Sequence, residues 1–242
     1  MSKQPGFISK TAALAAKDLR IEFRGRSTLP PMMAFSLAVT LLLAFTIPAT
    51  PAAIVSLQLP PGTVLLADLL AGFLWITVLF AGLIGFARTF ELDRDQGALD
   101  PLLLAPVDRS GLFLAKATAN LVSVAVIEVM LLPLFALFFS LDLGSRWPFL
   151  ILVVVLVDVG FVSIGTLFAA VAAQTKSREL VLPILALPAL VPIFIAGVEL
   201  TSDLFLGLDA GEIAGRGWFG LLVGYDVIFT VLAVLGFEFA VE

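Results

Sequence analysis

Six stretches of this chain run apolar for close to the ~20 residues that a helix needs to cross a hydrocarbon core. They read as roughly 29–47, 69–90, 117–141, 147–173, 180–200 and 218–241. Hydrophobic residues make up 60% of the 242, and within these stretches they do not alternate with polar faces as in a soluble domain. The expected fold is therefore all-α: a polytopic membrane protein with six transmembrane helices, forming one transmembrane domain over 1–242.

The cations fix the direction of the spans. Positive residues favour loops on the side from which insertion starts. Six of the 14 precede the first stretch; Arg88, Arg94, Arg109 and Lys116 flank the second connection, and Lys176 and Arg178 lie in the fourth. All of these face one side if the chain crosses six times, leaving only Arg146 and Arg216 on the other. Trp147 and Trp218 open the fourth and sixth spans on that sparse side, where indoles favour the interface. The reading places both termini in the cytoplasm of a bacterial inner membrane. The first apolar stretch is later and longer than the core of a cleaved signal, so the N-terminus is expected to be retained.

Composition excludes several chemistries. The chain has no Cys and no His, so it supplies no disulfide, no Cys or His nucleophile and no His-ligated metal or haem. It has no Gly-x-x-x-x-Gly-Lys-Ser/Thr phosphate loop, so it does not hydrolyse ATP alone. No cofactor bound by this chain alone, no catalytic residue and no nucleic-acid partner is expected.

Before the first span, Ile8, Ala12, Ala15, Leu19 and Phe23 recur at helical spacing, with Lys10, Lys17 and Arg24 on the opposite face. This predicts an amphipathic helix over 7–25 lying at the bilayer interface; the alternative is a solvated basic tail. On the sparse side, the first connection carries Pro48, Pro51, Pro60, Pro61 and Gly62. The third, 201–217, carries Leu204, Phe205, Leu206, Leu208 and Ile213, enough for a short helix that dips back to the interface.

The longest cation-rich connection, 91–110, is the place for interactions with a cytosolic partner. Asp100 followed by Pro101 reads as a helix start, and Pro106 with Asp108 or Ser110 as another. Leucines 102–104 between two prolines form a short apolar helix able to present a side to a partner. Phe90-Glu-x-Asp-Arg-x-x-Gly-Ala-Leu99, Pro101-Leu-Leu-Leu-Ala-Pro106, Arg109-Ser110 and Leu112-Phe-Leu-Ala-Lys116 resemble the cytochrome c maturation protein CcmB family. Gln174-Thr-Lys-Ser-Arg-Glu-Leu180, Leu182-Pro183 and Val191-Pro192 extend the resemblance, which fades to hydropathy alone in the last span.

The resemblance implies an ABC-2-like permease subunit paired with a CcmA-like ATPase and working with CcmC-like and CcmD-like membrane subunits. ATP on the partner would drive haem export, or release of a haem-loaded CcmE-like chaperone, in c-type cytochrome biogenesis. Haem would be handled by the complex, with its iron held by another subunit. A second copy of the chain is expected to complete a pathway. The resemblance makes Glu91, Asp93, Arg94, Asp95, Gly97, Leu99, Asp100, Pro101, Leu102, Leu103 and Pro106 the ATPase-coupling segment. Alternatives are an export permease of this architecture for another lipophilic substrate, and an ion-coupled secondary transporter.

Four carboxylates fall in or near the spans: Glu128, Asp158, Glu199 and Asp226. Each costs ~2.5–3.5 kcal/mol inside a bilayer on translocon scales, which makes it a functional candidate. Glu128 and Asp158 have no basic residue in the interior of any span to pair with, so they are read as protonated, water-facing, or bonded to Ser123, Ser163 and Thr166. Their role is transport or conformational change; the alternative is helix–helix hydrogen bonding. Glu199 and Asp226 lie nearer the span ends and read as interfacial and solvated. Pro183, Pro188 and Pro192 remove three backbone donors from the fifth span, predicting an irregular helix that is either a moving wall or a static kink. Ala81 and Gly85, with Ser163, Thr166, Ala169, Ala170 and Ala173, offer small faces for close helix packing.

Overall fold

The computed structural model describes residues 6–25, 28–47, 66–90, 108–141, 143–175 and 177–240. Helix α1 is Phe7–Gly25, α2 Leu29–Thr46, α3 Leu66–Arg88, α4 Arg109–Phe138 and α5 Trp147–Ala173. Then follow α6 Arg178–Phe205, the short α7 Ala210–Ala214 and α8 Gly217–Ala240, with one 3₁₀ turn at Gly144–Arg146 before α5. Helices α2, α3, α4, α5, α6 and α8 are each long and apolar enough to cross a membrane. The protein is all-α and multi-pass.

α5 is the most enclosed helix and packs against α3, α4, α6 and α8; α2 and α8 are the most open. Without a hydrophobic drive between helices in lipid, such packing rests on close van der Waals fit. The α3–α5 contact shows how the sequence achieves it. Phe86 of α3 lies over Gly165 of α5, where a Cβ would stand 2.1 Å from Phe86 Cε2. Phe161 of α5 returns the contact over Gly82 of α3, where a Cβ would stand 2.3 Å from Phe161 Cε1. The two rings meet edge-on with centroids 4.9 Å apart. Phe161 also meets Phe194 of α6 at 5.1 Å, and Phe194 meets Trp75 of α3 at 5.9 Å, so four aromatic rings tie α3, α5 and α6 into one block.

The first and last helical turns leave backbone groups unpaired unless something caps them. The last carbonyls of α8 are reached by side chains: Arg109 Nη1 donates to Glu238 O at 3.1 Å, and Gln174 Nε2 to Ala240 O at 2.6 Å. Both contacts lie at the end of the bundle where α1 sits, here called the α1 end.

Several boundaries differ from the sequence reading. α4 starts at Arg109 rather than at 117, with Asp108 in extended conformation at its N-cap but making no side-chain capping bond. It also carries Pro133 inside the helix. α6 continues through Phe205, so the polar triplet Thr201-Ser202-Asp203 belongs to a helix instead of a loop; a short helix, α7, follows with Ile213 buried. α6 is a continuous helix across all three prolines.

Gly165→Val should lower the thermal midpoint in detergent, because Phe86 has no room to retreat and overpacking costs ~1–3 kcal/mol. Gly224→Ala, where nothing lies within 4 Å of the added carbon, should leave it unchanged or raise it slightly.

Candidate functional site

α1 docks through a mixed face that includes Asp18 and Glu22. Lys116 of α4 is 4% exposed and needs a counter-charge there. Its Nζ lies 3.0 Å from Asp18 Oδ2, donates to Thr89 O at 3.4 Å and stands 5.6 Å over the Phe90 ring. Thr89 Oγ1 then donates to Asn120 Oδ1 at 2.9 Å, and Asn120 Nδ2 donates to Thr166 Oγ1 at 2.9 Å. One chain of polar contacts thus joins α1, α3, α4 and α5. Glu22 Oε1 accepts the backbone N–H groups of Thr28 and Leu29 at 3.1 and 2.9 Å, capping the start of α2 from α1. Between these groups is a cavity of about 50 Å³ whose lining includes Asp18, Glu22, Arg88, Lys116 and Ser123.

α1 is the helix expected over 7–25. Of the apolar row, Ala15 is buried and Leu19 half-buried, while Ile8, Ala12 and Phe23 are exposed. Lys10 and Lys17 are half-buried, and Lys17 Nζ lies 3.1 Å from Asp18 Oδ1. The face toward the bundle is mixed: Ala15 is buried, Leu14, Asp18, Ile21 and Glu22 are half-buried, and Arg20 and Arg24 are exposed.

Farther along, Glu128 of α4 and Asp158 of α5 are both buried, each 3% exposed. Lys116, Asn120 and Glu128 stand at multiples of four on α4, hence on one helical stripe. The partners expected from sequence are engaged elsewhere: Ser123 Oγ donates to Ala119 O at 3.1 Å, Ser163 pairs with Thr230 at 3.0 Å, and Thr166 accepts from Asn120.

Asp226 was expected at a solvated interface; it is 6% exposed, because the missing side chain of Gly160 lets α8 approach α5 closely. A Cβ on Gly160 would stand 2.5 Å from Asp226 Oδ1. Glu199 is exposed. Next to Asp226, the Tyr225 hydroxyl donates to Ala189 O, one residue from the Pro188 carbonyl that Pro192 leaves without an intrahelical donor. Pro188 and Pro192 lie on the exposed side of α6 and Pro183 is half-buried.

Sequence reasoning missed a second polar cluster at the opposite end. Trp75 Nε1 donates to Thr201 Oγ1 at 3.0 Å, Ser202 donates to Asp68, and Arg216 Nη1 lies 2.8 Å from Asp203 Oδ1. The signal was present in the Thr-Ser-Asp triplet but hidden by placing it in a loop. Among the described residues no three His, Cys, Asp or Glu side chains group to hold a metal ion.

The sequence profile described as "CcmB protein" matches residues 9–242. The chain belongs to the CcmB family. Its relatives include "Heme exporter protein B" of Rhodobacter capsulatus, 32% identical over 188 residues, covering 78% of this chain and 80% of that one. The protein of the same description from Paracoccus denitrificans is 30% identical over 197 residues, 81% and 84% of the two chains. That of Pseudomonas aeruginosa is 28% identical over 224 residues, 91% and 92% of the two.

In this CcmB-family chain the expected coupling residues, Glu91, Asp93, Arg94, Asp95, Gly97, Leu99, Asp100, Pro101, Leu102, Leu103 and Pro106, lie outside the described residues. The described helices bracket them: α3 ends at Arg88 and α4 begins at Arg109, on either side of the Lys116–Thr89–Asn120 network.

Lys116→Met should leave Asp18 with Lys17 as counter-charge and loosen α1, since the buried end of the Lys116–Asp18 pair is lost. Trypsin should then cut at Arg20 and Arg24 faster than in the unmodified protein. Adding Asp18→Asn should restore part of the protection.

Proposed function

We propose that this chain is the permease subunit of an ABC-type complex in c-type cytochrome biogenesis. ATP is hydrolysed on a separate CcmA-like subunit and drives haem export or release of a haem-loaded CcmE-like chaperone. The observation that carries this is similarity to proteins described as "Heme exporter protein B" along most of their length and of this chain. The absence of a phosphate loop from the sequence supports a separate engine. With no His or Cys in the chain, another subunit holds the haem iron; CcmC-like and CcmD-like subunits are the proposed neighbours, together with a second copy of this chain.

In this reading the chain is a non-catalytic subunit of the bacterial inner membrane with both termini cytoplasmic, as the cation distribution favours. The α1 end then faces the ATPase. Residues 91–107 receive its motion and pass it to the two helices they join, α3 and α4. Those helices are held differently. α3 is interlocked with α5 through Phe86, Gly165, Phe161 and Gly82, whereas α4 meets α5 across a polar seam. α4 is therefore the element that shifts against the α3–α5–α6 block, and the prolines Pro183, Pro188 and Pro192 are where α6 flexes in response.

The coupling role is tested by reversing charge in the segment. Glu91→Lys with Asp93→Lys and Arg94→Glu should leave the chain in the membrane at the normal level but abolish co-purification of the ATPase expressed from the same operon. Undiminished ATPase binding would overturn the assignment. Replacing Pro183, Pro188 and Pro192 together by Ala should lower cytochrome c maturation at unchanged protein level.

A further inference from the structure

We propose that Tyr225 is a positioning residue of the transport cycle: its hydroxyl latches the proline-bearing half of α6 to α8, and breaking that bond frees this half to bend at Pro192. What breaks the bond rests on the permease reading above; the latch itself follows from how α5, α6 and α8 meet.

α6 is held unevenly along its length. From Ile193 onward it is bound into the bundle: Phe194 meets the rings of Trp75 and Phe161, Thr201 accepts from Trp75, Ser202 donates to Asp68 and Asp203 pairs with Arg216. The half before Ile193 contains Pro183, Pro188 and Pro192. Each lacks the N–H that would reach back four residues, and its ring crowds the preceding turn. Among the described residues, the one hydrogen bond that another helix makes to 180–192 is that of the Tyr225 hydroxyl to Ala189 O. The later half is therefore fixed by several contacts, the earlier half by one polar tie, and Pro192 stands at the division.

Tyr225 stands on a wall that is itself fixed. Ser163 and Thr230 pair at 3.0 Å to join α5 and α8, and Gln174, at the end of α5, donates to Ala240 O farther along. The Tyr225 ring is 8% exposed and stacked on Phe229 with centroids 4.1 Å apart, so packing holds the ring whether or not the hydroxyl is bonded. Gly160 of α5 supplies the pivot. A Cβ there would stand 2.2 Å from Ile193 Cδ1 and 3.5 Å from Tyr225 Cδ1. The first residue after Pro192 and the tyrosine ring thus share one seat on α5, while the hydroxyl reaches four residues back along α6 from that seat.

A hydroxyl buried without an acceptor is unfavourable, so the bonded position is the resting one. The half that it holds runs about 21 Å from Pro192 to Arg178 at the α1 end, where the ATPase docks in the permease reading. Motion delivered there acts on a lever that its prolines have weakened and that Tyr225 alone ties to α8 by a hydrogen bond. Breaking this bond lets the lever move while the later half of α6 stays in the aromatic block.

The test uses the full chain in lipid nanodiscs, spin-labelled in two pairs at exposed positions. Leu180→Cys with Phe239→Cys spans the earlier half of α6 and α8; Ile195→Cys with Val223→Cys spans the later half and α8. Tyr225→Phe removes the hydroxyl and keeps the ring. It should add a second distance population to the first pair and leave the second pair unchanged. A first pair that does not respond, or two pairs that shift alike as in general loosening, would overturn the proposal. Tyr225 is the only tyrosine in the chain, which allows a measurement without substitution there. The chain carrying ring-deuterated tyrosine, reconstituted with its unlabelled subunits, should give an infrared ring signal of a donating hydroxyl at rest and gain a non-donating component during ATP turnover. A signal that stays constant while ATP is hydrolysed would also overturn the latch. If no ATPase assembles with the chain, the permease reading fails instead, and the spin-label distances still decide the latch.

Discussion

The fit of Phe86 against Gly165 and of Phe161 against Gly82 is the contact on which the rest of the bundle depends. In lipid, two apolar helices gain little from hiding apolar surface from each other, and close interlocking has to supply the association instead. Two glycines, one on each helix, make room for the ring of the other, and Phe194 and Trp75 extend the lock to α6. α5 thereby becomes the buried axis around which the other spans are arranged.

Against that apolar axis the polar contacts fall into separate places, each with a physical reason. At the α1 end, Lys116, Thr89, Asn120 and Thr166 satisfy one another and give α1 its seat through Asp18. At the opposite end, Asp68, Ser202, Asp203 and Arg216 tie the termini of α3, α6 and α8. At mid-depth, Glu128 of α4, Asp158 of α5 and Asp226 of α8 are buried, and Ser163 pairs with Thr230 between α5 and α8. A bundle built this way has one interlocked interface, α3–α5, and one polar one, α4–α5. Residues 91–107 connect a helix from each.

Much of this was legible in the sequence because hydropathy and charge act locally. Apolar length marked six membrane-crossing helices, and the loop motif from Phe90 to Lys116 marked the family. What the sequence concealed depends on which residues meet. Asp226 looked interfacial because it stands near a span end, and only the absence of a side chain at Gly160 shows why it is buried. The spacing of α1 marked an amphipathic helix, but not that its Asp18 meets Lys116 of α4. Glu128 and Asp158 were recognisable as costly residues, but their burial depends on neighbouring helices and is not written in the spacing of either one. Thr201, Ser202 and Asp203 were lost to a boundary error, since polar residues at a helix end look like a loop.

The central claim is that α4 moves against a fixed α3–α5–α6 block when the partner hydrolyses ATP. The chain has no cysteine, so spin labels can be placed without first removing any. The direct measurement is the label-to-label distance at the α1 end of the reconstituted complex, from Thr118→Cys to Gln174→Cys for α4 and α5, and from Arg88→Cys to Gln174→Cys for α3 and α5. During ATP turnover the first distance should change and the second should stay fixed; a change in the second with the first constant would contradict the account.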